Sequence, residues 1–139
     1  MEFVTRSVQE TEELGYRLGT RLKAGQVVSL RGSLGAGKTV LAKGIARSLG
    51  ITEAIVSPTF TLVQEYDGTL PLYHMDLYRI ADSGDFEMFG GEEMLYGKGV
   101  TMVEWSEVIQ DMLPQDTIYV TVTIKPDQSR NISIEGIEL

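Results

Sequence analysis

The sequence has no cysteine and, in 139 residues, a single histidine, a single asparagine and a single tryptophan. Without cysteine there is neither a disulfide framework nor a thiolate metal site, which fits a reducing compartment, so a cytoplasmic location is expected. His74 alone does not make a histidine metal centre and reads as a packing or hydrogen-bonding residue. No stretch approaches the ~20 consecutive apolar residues of a membrane helix. Met1 to Glu10 lacks the basic-then-apolar order of a secretory signal. Basic charge is scarce too: 12 Lys and Arg against 20 Asp and Glu leave a formal net charge of -8. Nucleic-acid affinity rests mainly on cations that neutralise phosphates, so tight unaided binding to RNA or DNA is not expected. The acidic surface serves either solubility or the docking of a basic partner protein.

The length and a hydrophobic content of 42 % suit one compact domain over residues 1–139. Short strand and helix patterns alternate through most of the chain. Phe3 and Val4 suggest an edge strand. Leu14, Leu18 and Leu22 recur at helical spacing and predict a helix over Thr11 to Leu22. Val27 to Leu30 is a short β-prone run. Leu41, Ile45 and Leu49 predict a helix over Lys38 to Leu49, with Gly50 where a helix stop belongs. Thr59 to Tyr66 and Leu72 to Asp76 flank the turn signal Asp67-Gly68, as a hairpin would. Ala81 to Lys98, rich in glycine and acid, shows helical character only around Glu92 to Tyr96. Val100 to Val103 reads as a buried strand and Ser106 to Met112 as a short helix ending before Pro114. Ile118 to Ile124 and the isoleucines from Ile132 onward form a second hairpin around Pro126 to Ser129.

Between the Val27 strand and the Lys38 helix lies Gly32-Ser33-Leu34-Gly35-Ala36-Gly37-Lys38-Thr39, the G-x-x-x-x-G-K-[ST] pattern of a phosphate-binding loop. Its glycines let backbone N–H groups approach phosphate oxygens. Lys38 reaches the β- and γ-phosphates as a point charge, and the Thr39 hydroxyl suits Mg²⁺, a hard cation. The helix that follows turns its positive end to the anion. Chance alone gives the bare pattern in roughly one such sequence in a hundred, and the strand-loop-helix context is the one the mechanism needs. The only asparagine, Asn131, is followed by Ile132, so the Asn-Lys-x-Asp element of guanine recognition is missing and adenine is the expected base.

Such a site also needs an acid at the end of a neighbouring strand. Two candidates qualify. Glu104 ends the run Val100 to Val103, and Asp76 ends the run Leu72 to Met75; one of them holds metal and the other orients water, in an order left open at this point. Trp105 is either core or a shaper of the site. Ser57-Pro58-Thr59-Phe60-Thr61 is either a nucleotide-sensing switch or the start of a strand.

Four segments together resemble the TsaE family of bacterial tRNA threonylcarbamoyladenosine biosynthesis: Leu34 to Thr39, Ser57 to Val63, Tyr73-His74-Met75-Asp76-Leu77-Tyr78-Arg79, and Val103-Glu104-Trp105. Their order and spacing match across nearly the whole chain. The resemblance implies a P-loop α/β sandwich of three layers, with a central, mostly parallel sheet and added antiparallel strands. It implies an ATPase acting with the TsaB and TsaD proteins, which transfer threonylcarbamoyl to adenosine 37 of tRNA, so that tRNA is met only through that assembly. By the same similarity Gly35, Ala36, Gly37, Lys38, Thr39 and Val40 contact ATP, Ser7, Thr11 and Arg130 approach it, Thr39 and Glu104 ligate Mg²⁺, and Asp76 fills the strand-end acid position. Ser33 stands where the family often has Asp, Val40 where a second Thr is common, and Phe86 to Gly91 matches only loosely.

Lys38, Asp76 and Glu104 are thus the expected catalytic set, with Arg79 a candidate to stabilise transferring charge in cis. Two rival readings share the loop. A small-molecule kinase needs an arginine-bearing lid, whereas Ala81 to Lys98 has Lys98 as its only base. A nucleotide-gated binding module uses ATP to select a docking conformation without hydrolysis.

Overall fold

The computed structural model describes residues 1–32, 37–56, 63–80, 82–88 and 90–139. In chain order these contain β1 (Glu2–Thr5), α1 (Val8–Gly19), β2 (Val27–Gly32), α2 (Lys38–Ser48), β3 (Val63–Tyr66) and β4 (Leu72–Asp76). There follow α3 (Ser83–Met88), α4 (Gly91–Leu95), β5 (Val100–Glu104), a 3₁₀ helix (Ser106–Met112), β6 (Ile118–Ile124) and β7 (Arg130–Glu135). The strands form one seven-stranded sheet in the order β1-β7-β6-β2-β5-β4-β3. Its four central strands, β6, β2, β5 and β4, run parallel. The hairpin partner β3 and the outer strands β7 and β1 are antiparallel additions at the two edges.

The burial of each strand follows from this order. β5 is covered on both faces and is buried at every position, which its Val-Thr-Met-Val run permits. In β6 buried Ile118, Val120 and Val122 alternate with more exposed residues, as in a strand with one covered face. Helices α1 and α2 cover one face, where Leu14, Leu18, Leu41 and Ile45 pack with Val28, Leu30, Leu72 and Met102. The opposite face carries Val27, Met75 and Val103, closed over by Phe86, Leu95 and Ile109 from α3, α4 and the 3₁₀ helix. Each such fully buried side chain contributes about 1.5–3 kcal/mol of apolar burial.

Helix α1 starts three residues before the predicted Thr11. Ser7 caps it, its hydroxyl accepting from Glu10 N at 3.0 Å, while Glu10 Oε1 accepts from Arg6 N at 2.8 Å. The Ser7 hydroxyl satisfies one of the N–H groups that a helix start otherwise leaves without partners, Glu10 takes the N–H just before the cap, and the Ser-x-x-Glu spacing is the signal for this pair. At the other end Leu22 lies in a turn beyond the helix, its N–H bonded to Gly19 O, yet it is buried. An apolar residue at helical spacing can therefore belong to the turn that follows. Helix α3 was not predicted at all, because six residues are too few to show a helical period.

Candidate nucleotide site

Parallel strands end on a common edge, and ligands of open α/β sheets bind beyond those carboxyl ends. β2 ends at Gly32, shortly before α2 in the chain, and Lys38 is the first residue of that helix. Gly37 caps it in a left-handed conformation (φ 108°), which a residue with a side chain adopts only under strain. β4 and β5 pair with His74 opposite Met102 and Asp76 opposite Glu104. Because Met102 belongs to the core beneath α1 and α2, strand alternation puts His74, Asp76 and Glu104 on that same face, towards Lys38.

Glu104 joins these elements. Its Oε1 lies 3.2 Å from Lys38 Nζ, and its Oε2 lies 2.9 Å from His74 Nε2. Burial alone pushes the Glu104 carboxyl up, but the hydrogen bond and charge of His74, with those of Lys38 behind them, outweigh it and hold the group below its ordinary value. The carboxylate thus stays ionised in a nearly closed setting. Asp76 is half-buried beside it, with Oδ1 accepting from Tyr78 N at 3.0 Å. Thr39, one residue into α2, is also half-buried.

On the other side of Gly37 is a pocket of about 210 Å³ whose lining includes Ser7, Thr11, Val40, Gln128 and Arg130. Arg130 Nε and Thr11 Cγ2 would each lie 3.9 Å from a Cβ placed on Gly37. Arg130 Nη1 donates to Gln128 O at 2.5 Å. The β1–α1 junction and the β6–β7 turn therefore converge on the start of α2, bringing Ser7, Thr11, Val40 and Arg130 together. Ser7 also spends its hydroxyl on the helix cap. Gly35, Ala36 and Ser57 to Thr61 lie outside the described residues.

Trp105 is not core. It is 47 % exposed, in a left-handed conformation (φ 61°), with its ring centroid 5.0 Å from that of Tyr78. This aromatic pair follows directly on the two strand-end acids. Nothing in the sequence pattern joined Tyr78 to Trp105, since the contact depends on β4 and β5 being neighbours. The His74–Glu104 bond was also missed, although the two-residue offset of His74 from Asp76 placed them on one strand face.

For Mg²⁺ the donor set is suitable: Thr39 offers a hydroxyl and Glu104 a carboxylate, both hard oxygens. Among the described residues no three His, Asp or Glu side chains cluster as a cage of their own. Mg²⁺ typically keeps several waters and shares its shell with substrate phosphates, so one protein carboxylate and one hydroxyl suffice.

A parallel sheet whose central strand leads into a glycine-capped helix, with that helix's first lysine against a strand-end glutamate, defines a P-loop-type α/β protein. The family model "Threonylcarbamoyl adenosine biosynthesis protein TsaE" matches residues 5–132. The chain belongs to the TsaE family. It is 46 % identical over 134 residues to the tRNA threonylcarbamoyladenosine biosynthesis protein TsaE of Treponema pallidum, covering 96 % of this chain and 99 % of that one. With the protein of the same name from Bacillus subtilis it shares 41 % identity over 138 residues, 99 % and 86 % of the two chains. The crystal structure of Bacillus subtilis YdiB superposes with a TM-score of 0.79 at 37 % identity, over 96 % of this chain and 83 % of that one.

Proposed function

We propose that the protein binds Mg-ATP at the start of α2 and hydrolyses it in support of the TsaB and TsaD proteins during formation of N6-threonylcarbamoyladenosine at position 37 of tRNA. The observation that carries the proposal is the 3.2 Å contact between Lys38 and Glu104. It brings the phosphate-reaching cation of the loop and the acid that such a site needs to one point at the sheet edge.

In this reading the N–H groups at the start of α2 and the Lys38 ammonium bind the triphosphate. Lys38 exchanges Glu104 for phosphate oxygens, because one ammonium does not serve both fully. Thr39 and Glu104 hold Mg²⁺, which supplies charge neutralisation at the phosphates. The pocket beside Gly37 receives the nucleoside end, with Arg130 and the Ser7–Thr11 segment around it. Asp76, partly open to solvent, orients a water towards the γ-phosphorus. The new bond is water oxygen to phosphorus, the bridge to the β-phosphate breaks, and the water's proton leaves to solvent with phosphate. Such transfer depends on positioning and charge stabilisation, so a site lacking one cation is nearly idle until a partner completes it. Arg79 is the candidate for that cation within the chain. The relatives' role in threonylcarbamoyladenosine biosynthesis supports the pathway assignment.

The test is ATP hydrolysis by the protein alone and with TsaB, TsaD and tRNA, with Lys38→Ala as the control. Turnover that rises with the partners and is lost in the variant is the expected result. Tight ATP binding with no turnover in any mixture would replace the ATPase by a nucleotide-gated binding module. A phosphorylated small molecule would replace it by a kinase.

A further inference from the structure

Glu104 has two oxygens and the structure gives them different partners. Oε1 meets Lys38, which is 14 % exposed and belongs to the helix that follows the phosphate loop, while Oε2 meets His74, which is 1 % exposed and belongs to the neighbouring strand. Lys38 is on a long flexible stem with other acceptors to serve. His74 is fixed in the sheet, and an imidazole buried there is costly unless it is hydrogen-bonded. Among the described residues Nδ1 has no partner, so the bond to Glu104 is what satisfies this ring. An ionised carboxylate only accepts, which makes His74 Nε2 the donor.

From this asymmetry we infer that His74 is a positioning residue, which holds Oε2 of Glu104 so that Oε1 is the oxygen presented to Lys38 and, when Mg-ATP binds, to the Mg²⁺ shell. The inference rests on the Mg-ATP reading above and adds to it the residue that orients the metal-binding carboxylate. Partners that orient a metal-binding side chain typically alter metal affinity by about 10- to 100-fold when removed.

Two variants separate donor from shape. His74→Leu fills similar space without an N–H, and His74→Gln can place an amide N–H near the position of Nε2. Binding of Mn²⁺, in place of Mg²⁺, to the protein with ATP is followed by the electron paramagnetic resonance of free Mn²⁺, and ATP binding is measured separately in a chelator. His74→Leu is expected to weaken Mn²⁺ binding by about tenfold or more. His74→Gln should recover most of that loss, with metal-free ATP binding alike in all three proteins. A folded His74→Leu with wild-type Mn²⁺ affinity overturns the positioning role while leaving the Mg-ATP reading intact. Wild-type protein that binds no Mn²⁺ with ATP overturns both. Should His74→Leu fail to fold, the wild type decides alone: as the only histidine, His74 gives one imidazole ¹⁵N pattern. A ring carrying a proton on Nε2, alone or together with Nδ1, is expected, and the neutral ring protonated on Nδ1 only overturns the inference.

Discussion

The two faces of the sheet are built by opposite means. On the site face α1 and α2 touch through the absence of side chains: a Cβ on Gly44 would lie 2.0 Å from Glu12 O, and one on Gly15 2.2 Å from Leu41 O. On the other face α3 and α4 are short, of six and five residues, and are held down by single large side chains, above all the fully buried Phe86. The first arrangement fixes one backbone against another, and so fixes where α2 begins. The second covers apolar area but transmits little to Lys38 or Glu104. Both faces bury apolar side chains, but backbone position is set by close glycine contacts on the site face only.

Removing Phe86 should have the largest effect on stability and a small one on the site. Phe86→Ala is expected to lose about 3–5 kcal/mol in urea unfolding, the usual range for deleting a buried aromatic ring. ATP affinity of the protein that remains folded should stay at the wild-type level. Gly44→Ala reverses the pattern. Its methyl meets a backbone carbonyl, so the helices separate at a cost of about 1–3 kcal/mol. Lys38 and Thr39 move with α2, so ATP affinity falls as well. A Phe86→Ala protein with impaired ATP binding, beside a Gly44→Ala protein that binds normally, would break the division between the faces.

The same division explains what could be read from the sequence. The site face was legible because its helices are long enough for Leu14 and Leu18, or Leu41 and Ile45, to show their period, and because the loop motif between strand and helix has a fixed spacing. The parallel centre and antiparallel edges followed from the family resemblance, and the hairpin turns from their own chemistry. Helix α3 was hidden because one phenylalanine in six residues carries no period. The site was legible as a set of residues and not as a set of contacts. Lys38, Asp76 and Glu104 each carried a local signal, but the division of Glu104 between Lys38 and His74 depends on the register of β4 on β5, which no single segment encodes. Trp105 was ambiguous for the same reason: only the packed sheet shows that its ring faces outward, against Tyr78.

The smallest expected effect is a slope with pH, and its sign follows from Glu104. Folding holds this carboxyl below its ordinary value of 4.5. The folded state therefore favours the ionised form, and the stabilisation is complete above that value and is lost as pH falls through the lower, folded one. Glu104→Gln lacks the ionised form, so it should be less stable than wild type near neutrality, and the two urea midpoints should converge as the solution is acidified below the ordinary value of 4.5 and through the lower, folded one. Phe86→Ala gives the contrasting behaviour. Its deficit is apolar area, which does not titrate, so its midpoint should run parallel to that of wild type over the same range. A gap between wild type and Glu104→Gln that stays constant or widens towards acid would mean that the fold does not favour the ionised carboxylate. The contact with Lys38 would then owe its place to packing of the sheet edge and not to charge.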